Sequence, residues 1–325
     1  MKSRLLFVFA LVVLTFTIPA FAKDSGALRL VPADSVTVGM VQLTELRNSP
    51  LASRVFTHWD NMTVDGDADL FLRDAGFNPA RDVDTIVFAL SPDDEAAGGN
   101  PLLIVEGRFD VNRITAALSG KGAVQVTAAG GSYFRFDDTQ DEAKGAVAFL
   151  SSNLAVAGKE SAVRSAIETN VRGGTDFVQA GGLAHLLGAV DMNSSAWLLV
   201  DVPRAQRLKR ETHLPGNSDR NQAMERALHD VAAIAVWADD RGDEMSVGAT
   251  ATANDTETLQ LLEDLVRGML ATWRLAAQDK APELVSEIRR FAVDRSAGSV
   301  TLRGSISSET IEKLQKRAGH ARLGK

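Results

Sequence analysis

Residues 82–90 read DVDTIVFAL, and residues 230–238 read DVAAIAVWA, so an Asp-Val-x-x-Ile segment recurs in the second half of the chain. Both segments are rich in β-branched and aromatic residues, a composition that favours strands. A polar loop and a second apolar run follow each one, which is the pattern of a β-hairpin. We therefore expect Ile86 and Ile234 to occupy equivalent central strands and to point into a core that a following helix covers.

The same order of elements extends outward from both segments. A β-branched strand precedes each hairpin, at 36–43 and 196–202, and a helix capped by Asp110 or Asp255 follows it. We predict an α+β fold from this internal repeat. It consists of two related modules, each a mainly antiparallel sheet covered by helices in a split βαβ-like arrangement with extra strands.

Two adjacent glycines, Gly173 and Gly174, mark the boundary between the halves. They place the first module at 23–172 and the second at 175–325. One continuous sheet shared by both halves is the alternative architecture.

The first 22 residues have the three parts of a secretory signal peptide. Lys2 and Arg4 form a positive start, the uncharged run 5–18 is mostly apolar, and the letters A-F-A at 20–22 provide an A-x-A cleavage site. The run is shorter than the ~20 residues that a membrane-spanning helix needs. We expect cleavage after Ala22, a periplasmic or secreted location, and no membrane span after cleavage. An uncleaved N-terminal anchor is the alternative.

Composition and charge narrow the classes of partner and chemistry. Hydrophobic residues make up 45% of the chain and charged residues 24%, as in an ordinary folded protein with a sizeable core. Lys2 and Arg4 carry the only charges in the leader, so its removal lowers the formal net charge from −7 to −9. An acidic surface repels phosphate backbones, so we expect no nucleic-acid partner. The chain has no cysteine, which excludes disulfides, thiolate metal sites and cysteine nucleophiles.

Two short motifs precede strands in the first half: the letters P-A-D at 32–34 and G-F-N-P-A-R-D at 76–82. In these motifs the chain resembles a loose group of uncharacterised exported bacterial proteins. Their modules open with a P-A-D strand and then carry a G-[FL]-[ND]-P-x-x-D turn that leads into a hydrophobic strand. The second half of this chain lacks both motifs. The resemblance implies an α+β fold and an exported location, and it brings no catalytic residues.

Familiar catalytic motifs are missing from the sequence. There is no G-x-S-x-G nucleophile turn, no S-x-x-K pair and no H-E-x-x-H zinc motif, and the five histidines are far apart without ligand-like spacing. These absences favour a non-catalytic protein and leave the catalytic site residues unassigned.

One aspartate run is the candidate metal site. Asp65, Asp67 and Asp69 have the D-x-D-x-D spacing with which a calcium loop begins. Leu70 stands where such a loop needs glycine, and Gly76 stands where it needs glutamate. Asp67 as a helix N-cap, with Asp69 near the helix dipole, explains the run without a metal. We expect no metal and no other cofactor.

The four tryptophans are the candidate aromatic anchors. Trp197 and Trp237 alternate with apolar residues in predicted strands. Trp273 continues an apolar helix face that begins at Leu262. We expect these three to be core residues. Trp59, beside His58 at a predicted helix end, is the candidate partner-binding residue, because exposed aromatics dominate binding hot spots.

Two classes of function remain open. The first is an exported, non-catalytic binding or assembly protein that uses a groove between the modules or an unpaired sheet edge to hold a protein or envelope ligand. The second is a hydrolase-type enzyme whose site residues are scattered in the sequence. An envelope structural protein is a further alternative. A concave pocket with convergent polar groups would favour the enzyme.

Overall fold

The computed structural model describes residues 26–48, 66–93, 99–128, 130–136, 145–174, 177, 182–190, 194–208, 230–311 and 313. The expected leader and Trp59 lie outside these ranges. Across the described residues, no helix is long and apolar enough to cross a membrane.

The described strands form one continuous antiparallel sheet of twelve. They are β1 (Thr37–Gln42), β2 (Val83–Ser91), β3 (Asn100–Gly107), β4 (Val124–Ala128), β5 (Gly131–Phe136), β6 (Gly145–Phe149), β7 (Leu154–Lys159), β8 (Ala196–Asp201), β9 (Val231–Asp240), β10 (Glu244–Ala253), β11 (Ala292–Arg295) and β12 (Ser299–Ser307). Their spatial order is β11-β12-β10-β9-β8-β1-β2-β3-β7-β6-β5-β4.

The two halves of the chain meet at the antiparallel pair of β1 and β8. Counted outward from this junction, the first half contributes β1-β2-β3-β7-β6 and the second half β8-β9-β10-β12-β11. Strands β5 and β4 extend the first half further. Both halves therefore build their share in the same strand order, and the hairpins β2–β3 and β9–β10 occupy equivalent places in a sheet that is continuous across the chain.

Helices cover both faces of the sheet, which confirms the α+β class. The α-helices are α1 (Leu43–Asn48), α2 (Gly66–Ala75), α3 (Pro79–Asp82), α4 (Val111–Gly120), α5 (Glu160–Val171), α6 (Val202–Leu208), α7 (Thr256–Lys280) and α8 (Glu283–Arg289), and the 3₁₀ helices are Gly26–Leu30 and Ala184–Ala189. Asp110 and Asp255 cap α4 and α7, since their carboxylates accept hydrogen bonds from the backbone N–H of Arg113 at 3.1 Å and of Thr258 at 2.7 Å.

Three apolar clusters hold these layers together. On one face, α5 and both 3₁₀ helices pack on the middle strands, around Met40, Ile104 and Leu199. On the opposite face, α1, α2 and α4 cover the first half. On that same face α7 and α8 cover the second half. The clusters bury apolar area, which is the main source of stability for a sheet of this kind.

Ile86 and Ile234 lie on the face that carries α4 and α7, in the equivalent strands β2 and β9. Both are half-buried at the border of their clusters rather than fully enclosed. Val87 and Ala235, which point to the opposite face, are fully buried instead. The expectation of two central core isoleucines was therefore wrong in degree, because the sheet continues past them and their helices cover only part of each strand.

The G-F-N-P-A-R-D motif forms the turn that leads into β2. Gly76 has φ +62° and allows the chain to leave α2 in a left-handed conformation. The Asp82 carboxylate then accepts hydrogen bonds from the backbone N–H of Asn78 at 2.9 Å and from Arg81 Nε at 2.7 Å. The side-chain bond from Arg81 holds the pKa of Asp82 below its usual value. This motif has a structural role at the start of the strand.

Candidate binding groove

Of the predicted site residues, only Asp67 and Asp69 lie in the described part of the chain. Asp67 and Asp69 lie in α2, so the backbone there is helical rather than looped, and the helix begins at Gly66, before the expected cap at Asp67. Asp65 and Trp59 lie outside the described residues. Within the described ranges, no group of three or more His, Cys, Asp or Glu side chains is placed to hold a metal ion.

The tryptophans differ from one another in burial. Trp197 is buried in the cluster under α5, and Trp237 packs against its edge, as expected. Trp273 is 54% exposed although it belongs to the apolar face of α7. The prediction of a core position for Trp273 was therefore wrong.

The floor of a groove lies in the middle of the sheet, on the face that carries α4 and α7. Across β1, β8 and β9, the register places Gly39, Leu198 and Val236 in one row on this face. Leu198 is 39% exposed and Val236 is 38% exposed, which is unusual for aliphatic residues in central strands. The helices in the described part of the chain thus leave Leu198 and Val236 partly uncovered.

Gly39 shapes this floor. A Cβ at this position would lie 3.1 Å from Leu198 Cδ1, so the leucine side chain leans over the glycine. Phe88 and Ala249 continue the row on either side, in β2 and β10, and both are half-buried. The exposed part of the floor therefore spans two to three strands, β1, β8 and β9, with half-buried residues at either side.

Helix α7 packs on β10, β11 and β12, the strands next to β9 on one side of this floor. Its Glu263 and Arg267 side chains face the sheet edge: Glu263 binds Arg295 of β11 at 3.1 Å, and Arg267 donates to the carbonyl of Val293 at 2.8 Å. The helical period places Leu265, Met269 and Trp273 on the opposite flank of α7, on the side away from β11.

This flank explains why Trp273 is exposed. Leu265 and Met269 are half-buried on the same flank, and Trp273 extends their apolar row. Among the described residues α7 packs on β10, β11, β12 and α8, and the Trp273 side of the helix stays 54% exposed. We define the groove by five residues: Leu198, Val236, Leu265, Met269 and Trp273.

The ionisable groups with altered pKa values lie outside the groove. Burial raises the pKa of the Tyr133 phenol, which donates a hydrogen bond of 2.6 Å to Glu160 on the other face of the sheet. Hydrogen bonds from the backbone and side chain of Thr258 lower the pKa of Asp255 at the helix cap. These groups serve local structure, and the groove itself has the character of an apolar contact surface.

Sequence reasoning missed the groove residues, because Leu198 and Val236 read as ordinary strand residues. The unusual feature that could have drawn attention to them is Gly39, a glycine in the middle of a β-branched strand.

No family model matches the chain, and no curated protein matches it either. Solved structures of a protein called TP0453 are similar to it. Crystal form III of TP0453 has a TM-score of 0.52 and 11% sequence identity, over 89% of this chain and 96% of that chain. Crystal form I has a TM-score of 0.44 and 11% identity, over 90% of this chain and 98% of that chain. At this identity, the similarity to form III concerns the fold alone.

Proposed function

We propose that this chain is an exported, non-catalytic binding protein that takes an amphipathic helix of a partner polypeptide into the groove. The observation that carries the proposal is the exposure of Leu198 and Val236 in central strands of the sheet, together with that of Trp273 on α7. Export rests on the signal-peptide pattern of the first 22 residues. Cleavage after Ala22 would leave the mature protein in the periplasm or outside the cell.

The form of the groove favours a helix as the occupant. Among the described helices on this face, α1 packs on β2, α7 packs on β10, β11 and β12, and the short α6 packs on β9 between them. A helix with its side chains is about 10–12 Å wide. Two to three strands at ~4.8 Å spacing span a similar width. A partner helix would complete the helical layer, burying its apolar residues at i, i+3, i+4 and i+7 against the floor.

The charge of the chain indicates the chemistry of the partner. The mature chain carries a formal net charge of −9 once Lys2 and Arg4 are removed. A partner helix with lysine or arginine on its polar face would be attracted to this surface, and the attraction would speed association more than it would tighten binding. The proposed ligand is therefore a basic amphipathic helix.

A designed peptide tests the proposal. A peptide of about 18 residues, roughly five helical turns, carries leucine at i, i+3, i+4 and i+7 and lysine elsewhere; its control has the same composition in scrambled order. Calorimetry should detect binding of the first peptide and not of the second. Trp273→Ala should weaken binding by about tenfold or more, as expected for an aromatic anchor.

Leu275→Ala provides the matched control variant. Leu275 is 65% exposed on the same helix, but the helical period places it away from the groove. Equal loss of binding in Trp273→Ala and Leu275→Ala would contradict the proposal, and so would equal binding of the scrambled peptide. Turnover of a hydrolase substrate by the purified chain would instead favour the enzyme alternative.

The two halves support a second inference about origin, that they are modules related by duplication. The common strand order, the Asp-Val-x-x-Ile segments and the caps Asp110 and Asp255 all support it. Because β1 and β8 bury Met40 against Trp197 at the junction, residues 23–172 and 175–325 should be soluble when co-expressed and poorly soluble when expressed separately. Two fragments that fold independently as monomers would contradict a shared central sheet.

A further inference from the structure

Gly39 is poorly suited to its place in the sheet. It lies in the middle of β1, one of the two strands that join the halves, between Val38 and Met40, which are buried on the other face. Glycine weakens a strand because it is flexible and has no side chain to pack. The φ of Gly39 is not in the left-handed region, so the backbone here does not require glycine. What sets this position apart is the space above it, on the face that carries the groove.

The side chain of Leu198 occupies that space. Leu198 pairs with Gly39 across β8 and β1, and its Cδ1 would be 3.1 Å from a Cβ added at Gly39. The Cβ atoms of such a pair are about 4.5–5.5 Å apart, so a terminal carbon at 3.1 Å shows that the leucine is turned toward β1. Carbon atoms in ordinary contact are about 3.5–4.0 Å apart. A side chain at position 39 therefore requires Leu198 to move.

A displaced Leu198 side chain would move into the groove. The carbonyl oxygen of Trp197 would be 3.4 Å from the added Cβ, so the backbone of β8 is already in contact with that position. Leu198 itself is 39% exposed, and its neighbour Val236 in β9 is 38% exposed. The free side of Leu198 is therefore the groove, and glycine at 39 keeps the floor low at this point.

We propose that Gly39 is a positioning residue of the groove: by leaving room for Leu198 to lie against β1, it determines how closely a bound helix approaches the floor. The inference rests on the proposed function, because it concerns the same bound helix. With glycine at 39, the floor beside Leu198 accepts a large aliphatic side chain such as leucine. With a larger residue at 39, Leu198 rises, and the same place accepts only a small side chain such as alanine.

A graded pair of variants tests this role. Gly39→Ala requires Leu198 to move by a few tenths of an ångström, and Gly39→Val, with two further methyl groups, requires a larger movement. Calorimetry with the amphipathic leucine peptide should show a loss of affinity of about tenfold or more for Gly39→Val, as for one misfitting methylene group in an apolar site. Gly39→Ala should show a smaller loss. Valine favours strands, so we expect Gly39→Val to remain folded.

Gly304→Ala is the matched control. Gly304 lies in β12 on the same face of the sheet, outside the groove, and a Cβ there would be 2.5 Å from the ring of Phe291. This variant should lower Tm, because the ring must move, and it should bind the peptide as the parent does. It therefore separates a loss of stability from a loss of binding.

A change of peptide preference is the readout that a purely structural glycine would not give. Four further peptides each carry alanine in place of one leucine at i, i+3, i+4 or i+7. At least one of them should bind the parent more weakly than the intact peptide does and bind Gly39→Val more tightly. Adding Leu198→Ala to Gly39→Val should restore affinity to the level of Leu198→Ala alone, because the raised side chain is gone.

The outcomes distinguish this inference from the proposed function. If the leucine peptide does not bind the parent, the proposed function fails and this inference fails with it. If the peptide binds the parent and Gly39→Val equally well, or if none of the alanine peptides prefers Gly39→Val, the groove binds a helix but Gly39 does not position its floor. If Gly39→Val does not fold, Gly39→Ala combined with Leu198→Ala is compared with Leu198→Ala alone: equal affinity supports the inference, and unequal affinity overturns it.

Discussion

Gly248→Ala should destabilise the protein, because the structure leaves no room for a methyl group there. Gly248 pairs with Trp237 across β10 and β9, and the indole lies over the glycine. A Cβ added at this position would be 2.6 Å from Trp237 Nε1 and nearer still to two ring carbons, whereas carbon atoms in ordinary contact are about 3.5–4.0 Å apart. Trp237 packs against the central cluster, so moving its ring disturbs that core.

The magnitude follows from known effects of overpacking. Forcing an extra methyl group into a packed site costs about 1–3 kcal/mol of unfolding free energy. In a chain of this size, 1 kcal/mol corresponds to about 2–4 °C in Tm. Gly268→Ala is the matched control, since nothing lies within 4 Å of a Cβ at this exposed position in α7. It should raise the unfolding free energy by about 0.5–1 kcal/mol, because alanine favours the helix.

Calorimetric melting of the two variants, and urea unfolding followed by circular dichroism, measure both effects. The cost of Gly248→Ala should shrink in a Trp237→Leu background, where the overlapping ring is gone; a double-mutant cycle gives this coupling directly. If Gly248→Ala melts at the temperature of the parent chain, or if both glycine variants shift Tm in the same direction, the steric reasoning is wrong.

Three further predictions concern charge, metal and export. Asp82→Asn should lower the unfolding free energy at pH 7, because Arg81 and the Asn78 N–H bind the carboxylate and hold the pKa of Asp82 below its usual 3.8. Because the pKa of Asp82 is lower in the folded state, its carboxylate stabilises the fold at pH values above its unfolded pKa, and this stabilisation is lost as the pH falls through the folded pKa. Urea unfolding should therefore show the unfolding free energies of the parent and the variant converging in acid. A difference between them that does not depend on pH would refute this reasoning. Millimolar calcium should shift Tm by no more than about 1 °C, since the aspartate run lacks the loop glycine and the bidentate glutamate; saturable binding that is lost in Asp67→Ala would contradict it. Intact-mass spectrometry of the exported chain should give an N-terminus at Lys23, and retention of Met1 would show that the leader is not cleaved.

The parts of the fold that local sequence predicts correctly are those with local causes. Strands β2 and β9, their hairpins, and the helix caps Asp110 and Asp255 all depend on residues within a few positions of each other. The same holds for the long helix, which was expected to follow a cap at Asp255 and is observed at Thr256–Lys280. The preference of β-branched residues for strands and the capping of a helix by a carboxylate three residues before an N–H are both local effects. They can therefore be read from the sequence directly.

The candidate site was not predictable in the same way. Trp273 continues the apolar period of α7, but a helical period shows only which side of a helix is apolar. Whether strands and neighbouring helices enclose that side depends on where the sheet lies beneath it. The burial of the groove residues Leu198 and Val236 is equally hard to predict from the sequence, because a strand residue is buried only if a helix covers it.

By itself, therefore, the sequence determined the order and type of the elements, the turns that connect them and the absence of cysteine chemistry. The tertiary structure alone decided that β1 and β8 join the halves into one sheet and that, among the described residues, Leu198 and Val236 stay exposed in its middle and β4 lies at one end. The physical reason is that every strand presents the same backbone N–H and C=O groups, so the choice of partner comes from packing between residues distant in sequence.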